Sequence, residues 1–409
     1  MSSEPPSSPS VSLSKKGYSL LAVSWLSWTW IWSMRAMFPT IAPAIGIDLS
    51  LSPSEQATLV GVFNLSTGVA FYAFGRVADR AGRKSTIIIG FITSIASILL
   101  FSLVSAYADL LLLAACSGFF LGAYLPGATT ILTDYYPQHR RGLVLGVHET
   151  GAAVGQFLGA FLVSVGVIYL LWRYLLGAWA LVGLLPMVLY FVVAPSRPRS
   201  EVQSEDKGYQ RQRSKLSRFQ ILLFVVVYTG VLAGVTGFVS VIPVYLVASF
   251  GATVSFVALL IGLTKIPAPI AQLLSGRLSD RYGRKPILVV ITCTVAACTA
   301  VMSFSQFNAL FIAAMFIQFF FGAAFFPVVL AGISDMTSLE DRASKIGIGM
   351  SAGSIIGSGG VPVVVGVIAA SLGYQVAFLF PLCLTIAGAL AAFGLKFVRA
   401  SGLFKDRAE

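Results

Sequence analysis

Three ionisable side chains, Arg35, Glu149 and Lys265, stand deep inside long apolar segments. A charge at the centre of a bilayer costs about 2.5–3.5 kcal/mol on insertion scales, so each of them needs a partner, water or a function. A guanidinium can bind a carboxylate through two parallel hydrogen bonds, and a desolvated carboxylate can carry a proton. These residue types therefore point to anion binding and proton movement.

The residues around Arg35 form an aromatic stripe. Trp25, Trp28, Trp32, Arg35 and Pro39 recur at helical spacing and share one face of a helix. We predict that Arg35 binds a small organic anion beside this aromatic wall. The alternative is a structural arginine that pairs with a carbonyl or carboxylate inside the protein. Of the neighbouring tryptophans, Trp30 is expected to face lipid.

Lys265 lies in the stretch "ALLIGLTKIPAPIAQLL". Pro267 and Pro269 predict a kink just beyond it, and a kinked backbone beside an ionisable group often lines a cavity. We predict that Lys265 binds the same anion as Arg35, from the opposite half of the molecule. A salt bridge to Glu149 is the structural alternative.

Glu149 is the predicted proton carrier, with His148 beside it. Three glycines of this segment form a ridge suited to close helix packing: Gly151, Gly155 and Gly159. His148 is expected on the side of the ridge and Glu149 on another face. The alternatives are a structural carboxylate that pairs with a basic residue and a packed histidine bonded to a neighbouring helix.

Five uncharged polar residues complete the predicted substrate site: Asn64, Tyr124, Tyr228, Gln318 and Ser354. Each taken alone is more often structural than substrate-binding, and the two tyrosines are favoured. Tyr124 sits beside Gly122 and Pro126, where a bent backbone is expected. No nucleotide-binding loop, His/Cys cluster or Ser-His-Asp candidate is visible, so neither an enzyme, a metal site nor a cofactor is expected.

The elements that must position these residues follow from composition. Of 409 residues, 57% are hydrophobic and 11% charged, and the mean hydropathy is +0.86. Continuous apolar runs exclude a β-barrel and predict an all-α membrane protein. Twelve spans are predicted, at 18–46, 55–75, 85–106, 108–134, 143–169, 174–194, 220–249, 254–276, 286–304, 307–336, 346–372 and 374–398.

Charge distribution sets the predicted orientation. On one side of the map lie 25 of the 28 Lys and Arg residues, which places both tails (1–17 and 399–409) and a linker (195–219) in the cytoplasm. The linker divides the spans into bundles 18–194 and 220–398. Orientation and contact with the lipid bilayer account for the net charge of +12, so no nucleic-acid partner is expected.

An internal repeat relates the two bundles. The decapeptide "GRVADRAGRK" at 75–84 recurs as "GRLSDRYGRK" at 276–285. Each half is therefore a copy of the other, and the substrate site is expected between them. The predicted gating residues of these loops are Gly75, Asp79, Arg80, Gly82, Arg83, Gly276, Asp280, Arg281, Gly283 and Arg284. Gly82 and Gly283 suit tight turns with positive φ, and the aspartates suit caps or arginine pairs.

Twelve spans with this decapeptide in both halves closely resemble the major facilitator superfamily, from about residue 18 to 398. The resemblance implies two pseudo-symmetric six-helix bundles that work by alternating access, with helices 1, 4, 7 and 10 lining a central cavity. Two features of the family are missing: the fourth span "LLLAACSGFFLGAYLPGA" has no arginine, and the fifth, "GVHETGAAVGQFLGAF", lacks the drug antiporter signature.

The stretches "MRAMFPTIAPAIGIDLS" and "GAYLPGATTILTDYYPQHRRG" resemble the anion/cation symporter and organophosphate branches of the superfamily. We therefore expect a proton-coupled secondary transporter of a small organic anion, such as a carboxylate. It is expected to act as a monomer in the plasma membrane. The alternative is a transporter of a neutral or cationic solute, such as a sugar or drug, with structural intramembrane charges.

Overall fold

The computed structural model describes residues 15–136, 138–195, 217–336 and 349–397. The described residues are almost entirely helical and contain no strand. The predicted tails and linker lie almost wholly outside them. The first half holds helix 1 (Lys15–Leu49), helix 2 (Pro53–Ala81), helix 3 (Arg83–Phe101), helix 4 (Tyr107–Leu121 and Tyr124–Tyr135), helix 5 (Gln138–Tyr169) and helix 6 (Trp172–Val182 and Leu184–Val193).

The second half repeats this count. It holds helix 7 (Arg218–Leu232, Ala233–Phe238 and Val239–Phe250), helix 8 (Val254–Leu263 and Ala268–Tyr282), helix 9 (Arg284–Phe304), helix 10 (Ala309–Met336), helix 11 (Gly353–Gly360 and Val361–Leu372) and helix 12 (Tyr374–Ala377 and Leu379–Gly394). Eleven of these are long and apolar enough to cross a membrane. Helix 1, of 35 residues, has the length for a twelfth span. The predicted fold class is confirmed.

Helix ends follow local chemistry. Helix 2 begins with a capping box in which Ser52 and Glu55 satisfy each other's backbone amides. Each copy of the repeated decapeptide contains a turn: one joins helix 2 to helix 3, and the other joins helix 8 to helix 9. In these turns Gly82 and Gly283 have φ of +90° and +94°, which confirms the prediction of positive φ.

Several helices are interrupted. Helix 4 breaks just before Tyr124, beside Gly122, as predicted. Helix 8 breaks between Leu263 and Ala268, so Lys265 lies in a turn next to Pro267. Helices 7 and 11 contain wider π-helical segments, Ala233–Phe238 and Gly353–Gly360. Such segments are frequent at functional sites.

The predicted glycine ridge packs helix 5 against helix 1. A Cβ added at Gly155 would lie 2.3 Å from the Thr29 carbonyl oxygen, and one at Gly159 would lie 2.2 Å from that of Ser33. A larger residue would push the two helices apart. The side chains of helix 1 and helix 5 that carry the site are therefore held in a closely packed pair.

The two halves also meet through small residues. A Cβ at Gly359 of helix 11 would lie 2.5 Å from the Leu65 backbone of helix 2. On another pair of helices, the Ser255 hydroxyl of helix 8 donates to the Ser164 carbonyl of helix 5 at 2.7 Å. Helices 2 and 5 of the first half thus pack directly on helices 11 and 8 of the second.

Candidate functional site

Arg35 lies on helix 1 among aromatic rings. Its guanidinium carbon is 4.4 Å from the centroid of Trp32 and 5.9 Å from that of Phe71. Among the described residues it has neither an ion pair nor a hydrogen-bond partner, and its Nε is buried. The charge is stabilised by ring faces, and the buried Nε–H has no acceptor in the described part of the chain.

Two indole groups extend this row of unused donors. The Nε1 atoms of Trp28 and Trp32 are buried and have no partner in the described part of the chain. The two rings meet edge to face at 5.7 Å. Indole and guanidinium N–H groups donate and cannot accept. Helix 1 therefore presents three donor groups, four and three residues apart, with no acceptor bound to them.

His148 of helix 5 connects two neighbours. It is fully buried, and its ring stacks on Trp28 with centroids 5.4 Å apart. Its Nε2 lies 3.3 Å from the Tyr124 hydroxyl, and its Nδ1 lies 3.3 Å from Glu149 Oε1. His148 and Glu149 differ in exposure, as expected for separate helix faces, yet the end of the glutamate side chain reaches back to the imidazole.

Tyr124 opens the second segment of helix 4. Its hydroxyl donates to the Ser24 carbonyl of helix 1 at 2.8 Å, and the side chain is 2% exposed. The hydroxyl is thus held between helix 1 and His148. This geometry favours a role in positioning the imidazole over direct contact with a substrate.

Glu149 of helix 5 and Tyr228 of helix 7 belong to different halves of the molecule. The Glu149 side chain is 44% exposed, whereas His148 is fully buried. The Tyr228 hydroxyl of helix 7 interacts electrostatically with both Arg35 and Glu149. Of the predicted site, the structure gathers Arg35, Glu149, His148, Tyr124 and Tyr228.

Lys265 occupies a separate environment. Its Nζ lies 3.2 Å from the centroid of the Phe319 ring on helix 10, a cation–π contact. Among the described ion pairs there is none between Lys265 and Glu149, so that structural alternative finds no support. The predicted pairing of Lys265 with Arg35 around one anion stays a prediction.

The remaining polar residues lie at helix contacts. Gln318 is fully buried and donates to the Thr299 hydroxyl at 3.2 Å, inside the second bundle. Ser354 packs on helix 2, where a Cβ at Gly68 would lie 2.8 Å from its Cβ. Asn64 is buried with its side-chain N–H₂ unpartnered within the described chain. Among the hydrogen bonds and ion pairs of the described residues, none joins these three to Arg35.

The predicted gating loops differ between the halves. Arg83 forms an ion pair with Asp134 at the end of helix 4. Arg284 pairs with Asp280 of its own loop at 2.5 Å and donates to the Ser279 hydroxyl at 2.6 Å. Arg80, Arg281 and Gly276 lie near these turns. The surroundings of Gly75 and the side chain of Asp79 lie outside the described part of the structure. The gating role of these loops stays a prediction.

Trp30 corrects one expectation. It is buried, and its indole N–H donates to the Trp179 carbonyl oxygen of helix 6 at 3.0 Å. The expected lipid-facing position is wrong, because lipid tails offer an indole N–H no acceptor. Sequence reasoning also missed the Ser24 carbonyl and the stacking of Trp28 on His148, since neither has a signal in residue type alone.

Two helical bundles built from helices that are long and apolar enough to cross a membrane define an integral membrane protein. The chain belongs to the major facilitator superfamily, whose family model matches residues 23–249 and 224–406.

Individual relatives carry small molecules. The 4-hydroxybenzoate transporter PcaK of Pseudomonas aeruginosa is 36% identical over 189 residues, which span 43% of this chain and 39% of PcaK. NiaP of Bacillus subtilis, provisionally named a niacin/nicotinamide transporter, is 27% identical over 86% of this chain and 88% of its own length.

Among solved structures, a bacterial homologue of the human lysosomal transporter Spinster, in an inward-facing and occupied conformation, superimposes with a TM-score of 0.77. The alignment has 17% identity over 94% of this chain and 97% of that one. At this identity the likeness shows a shared fold.

Proposed function

We propose that this protein is a secondary transporter of a small aromatic carboxylate, moved together with a proton by alternating access. The observation that carries the proposal is the row of unpartnered donors on helix 1: Trp28 Nε1, Trp32 Nε1 and Arg35 Nε. A buried donor without an acceptor costs about 1–3 kcal/mol. A ligand rich in acceptors and negatively charged at one end removes that cost, which describes a carboxylate.

The aromatic part of the proposal rests on the surroundings of the donors. Trp28 and Trp32 offer ring edges and faces beside Arg35, and such rings stack well on a flat ligand. The names of two relatives support a flat ring: 4-hydroxybenzoate and niacin are ring carboxylates, and nicotinamide, which the second name also includes, is the uncharged amide of the same ring. A sugar is uncharged, so it would leave the Arg35 charge of this row without a counter-charge.

Proton coupling is proposed from charge balance. Moving a monovalent anion into a cell against a membrane potential of about 100 mV, negative inside, requires about 2.3 kcal/mol of free energy. A proton that travels with a monoanion cancels the charge. Glu149, half exposed and next to buried His148, is the carboxylate we assign to this proton.

The wider setting is part of the same proposal. We place the protein in the plasma membrane as a monomer with both termini in the cytoplasm, because basic residues concentrate on that side. Lys265, held over Phe319 in the second half, supplies a second positive charge once the halves rearrange around the substrate.

Uptake of radiolabelled 4-hydroxybenzoate into proteoliposomes, corrected with protein-free vesicles, tests the proposal. Unlabelled benzoate should compete and benzamide should not, because the amide keeps the ring and loses the charge. R35Q should abolish saturable uptake, while R218Q, an identical change at an exposed arginine, should not. Equal competition by benzamide, uptake that survives R35Q, or no saturable uptake at all would contradict the proposal.

A further inference from the structure

We propose that Tyr124 fixes the tautomer of His148, so that His148 and Glu149 bind and release a single proton as one unit. Tyr124 is then a positioning residue that acts through the imidazole. The inference deepens the proton coupling proposed above and rests on it for its role in transport. Its structural content concerns hydrogen positions in the resting protein and does not depend on which solute is carried.

The argument begins with a count of hydrogens. A tyrosine hydroxyl carries one hydrogen, and two polar atoms lie within hydrogen-bond distance of the Tyr124 oxygen: the Ser24 carbonyl oxygen at 2.8 Å and His148 Nε2 at 3.3 Å. The hydroxyls of Ser24 and Ser27 lie nearby but outside that distance. A carbonyl accepts and cannot donate, and the shorter contact is the one to Ser24. The hydroxyl hydrogen therefore goes to Ser24, and the hydroxyl oxygen is left to accept. His148 Nε2 must then carry a hydrogen and donate it to Tyr124.

The other ring nitrogen now has two permitted states. If Glu149 is ionised, Nδ1 must be protonated to donate to Oε1, and the pair is an imidazolium with a carboxylate. If the imidazole is neutral, Nδ1 is an acceptor and Glu149 must be the protonated partner. Both states hold one proton between Nδ1 and Oε1, which lie 3.3 Å apart. The proton therefore belongs to the pair and cannot be assigned to His148 or Glu149 alone.

Loss of the proton breaks the contact. With Nε2–H held by Tyr124, the deprotonated pair sets the Nδ1 lone pair against a carboxylate, which is repulsive. Glu149 is half exposed and free to turn. Arg35 lies on helix 1, which packs closely on helix 5, and it is the charge of opposite sign that we assign to a released Glu149.

The other titratable groups around His148 and Glu149 do not provide a competing partner for the released Glu149 carboxylate. Tyr190 of helix 6 packs on Tyr124 with ring centroids 5.8 Å apart and is neutral at physiological pH. Lys265 of helix 8 rests on Phe319. Arg35 is therefore the charge for which a released Glu149 and a substrate carboxylate compete. When the pair is protonated, Arg35 is free for the substrate, which orders the cycle as proton first and anion second.

Nuclear magnetic resonance of the full chain in nanodiscs tests the tautomer directly. The sequence contains two histidines, His139 and His148, so H139Q leaves one imidazole to label with nitrogen-15. At alkaline pH we expect the hydrogen on Nε2. In Y124F the acceptor is gone, and the hydrogen should move to Nδ1, where it can bond the Glu149 carboxylate.

Y190F is the matched control, because it also removes a buried hydroxyl beside Tyr124 and should leave the hydrogen on Nε2. Hydrogen on Nδ1 in the otherwise unmodified protein, or on Nε2 in Y124F, would overturn the inference. These spectra need no substrate, so they stand apart from the test with R35Q and 4-hydroxybenzoate.

A transport measurement adds a readout that a merely structural role would not move. Y124F stabilises the deprotonated pair, so half-maximal uptake of 4-hydroxybenzoate should require a pH lower by about one unit. Maximal uptake at low pH should stay within about threefold of the parent, since Arg35 is untouched. An unshifted pH profile in Y124F, or an equal shift in Y190F, would contradict the inference.

Discussion

The two halves of the molecule share a repeated decapeptide and a count of six helices, yet they differ in where their irregularity lies. In the first half the irregularity is chemical: unpartnered donors on helix 1 and a contact chain from Ser24 through Tyr124 and His148 to Glu149. Both halves contain interrupted helices, but among the described residues the π-helical segments lie only in the second half, in helices 7 and 11.

The difference suggests a division of labour between copies of one unit. The closely packed pair of helices 1 and 5 holds side chains in fixed relation, as a binding and proton site requires. The π segments of helices 7 and 11 pack on each other through glycine, with a Gly237 Cβ placed 2.0 Å from the Gly357 carbonyl oxygen. We infer that the first half recognises the substrate and that the second half does most of the bending.

The largest expected effect is on Arg35. R35Q should lower kcat/KM for 4-hydroxybenzoate by at least about 100-fold, because a bidentate charged hydrogen bond is lost. Initial uptake rates in proteoliposomes measure it. R218Q should retain the parent value, and a loss of equal size there would assign the effect to protein yield or folding.

The second largest effect is expected at Glu149, in the first half of the molecule. A gradient of about one pH unit can drive about tenfold accumulation when one proton accompanies each anion. E149Q should accumulate no substrate yet exchange labelled for unlabelled 4-hydroxybenzoate within about threefold of the parent rate. E55Q is the control, since glutamine also serves in the capping box of helix 2. Full accumulation by E149Q would remove Glu149 from the proton path.

A third prediction concerns Gly237, in the π-helical segment of helix 7 in the second half. G237A should destabilise the protein by about 1–3 kcal/mol, because the added methyl group has no room between the π segments. Thermal unfolding in detergent measures the change. G360A is the matched control in helix 11, where the nearest atom to a Cβ is 3.4 Å away. Equal stability of the two variants would show that the π segments pack loosely.

Lys265 should give the smallest effect of the four. K265Q is expected to raise KM for 4-hydroxybenzoate about fivefold, because its charge already rests on Phe319 and has no contact with Arg35 in this conformation. K265R should keep the parent KM. A loss as large as that of R35Q would mean that the two halves share recognition equally.

Much of this picture could be predicted from the sequence. Apolar runs and basic loops were enough for twelve spans, and the repeat was enough for two bundles, because both depend on composition over many residues. The turns at Gly82 and Gly283 and the break beside Tyr124 followed from local backbone preferences. Arg35, Glu149 and His148 stood out because charge in an apolar segment is rare.

The relations between those residues could not be predicted. His148 and Glu149 are adjacent in sequence, and helical geometry sends adjacent side chains in different directions. Their contact depends on a glutamate rotamer, and the role of Tyr124 depends on a backbone carbonyl of another helix. The burial of Trp30 likewise depends on the Trp179 carbonyl of helix 6. Such contacts arise from tertiary packing.

The central claim is that an anion bound by Arg35 is accompanied by a proton on the His148–Glu149 pair. Calorimetric titration of the purified protein with 4-hydroxybenzoate, in two buffers that differ in their enthalpy of ionisation, counts the protons taken up on binding. At a pH where the pair is deprotonated before binding, we predict about one proton for each anion in the parent protein and none in E149Q. Binding of the anion to the parent without proton uptake, across the pH range of transport, would contradict the account.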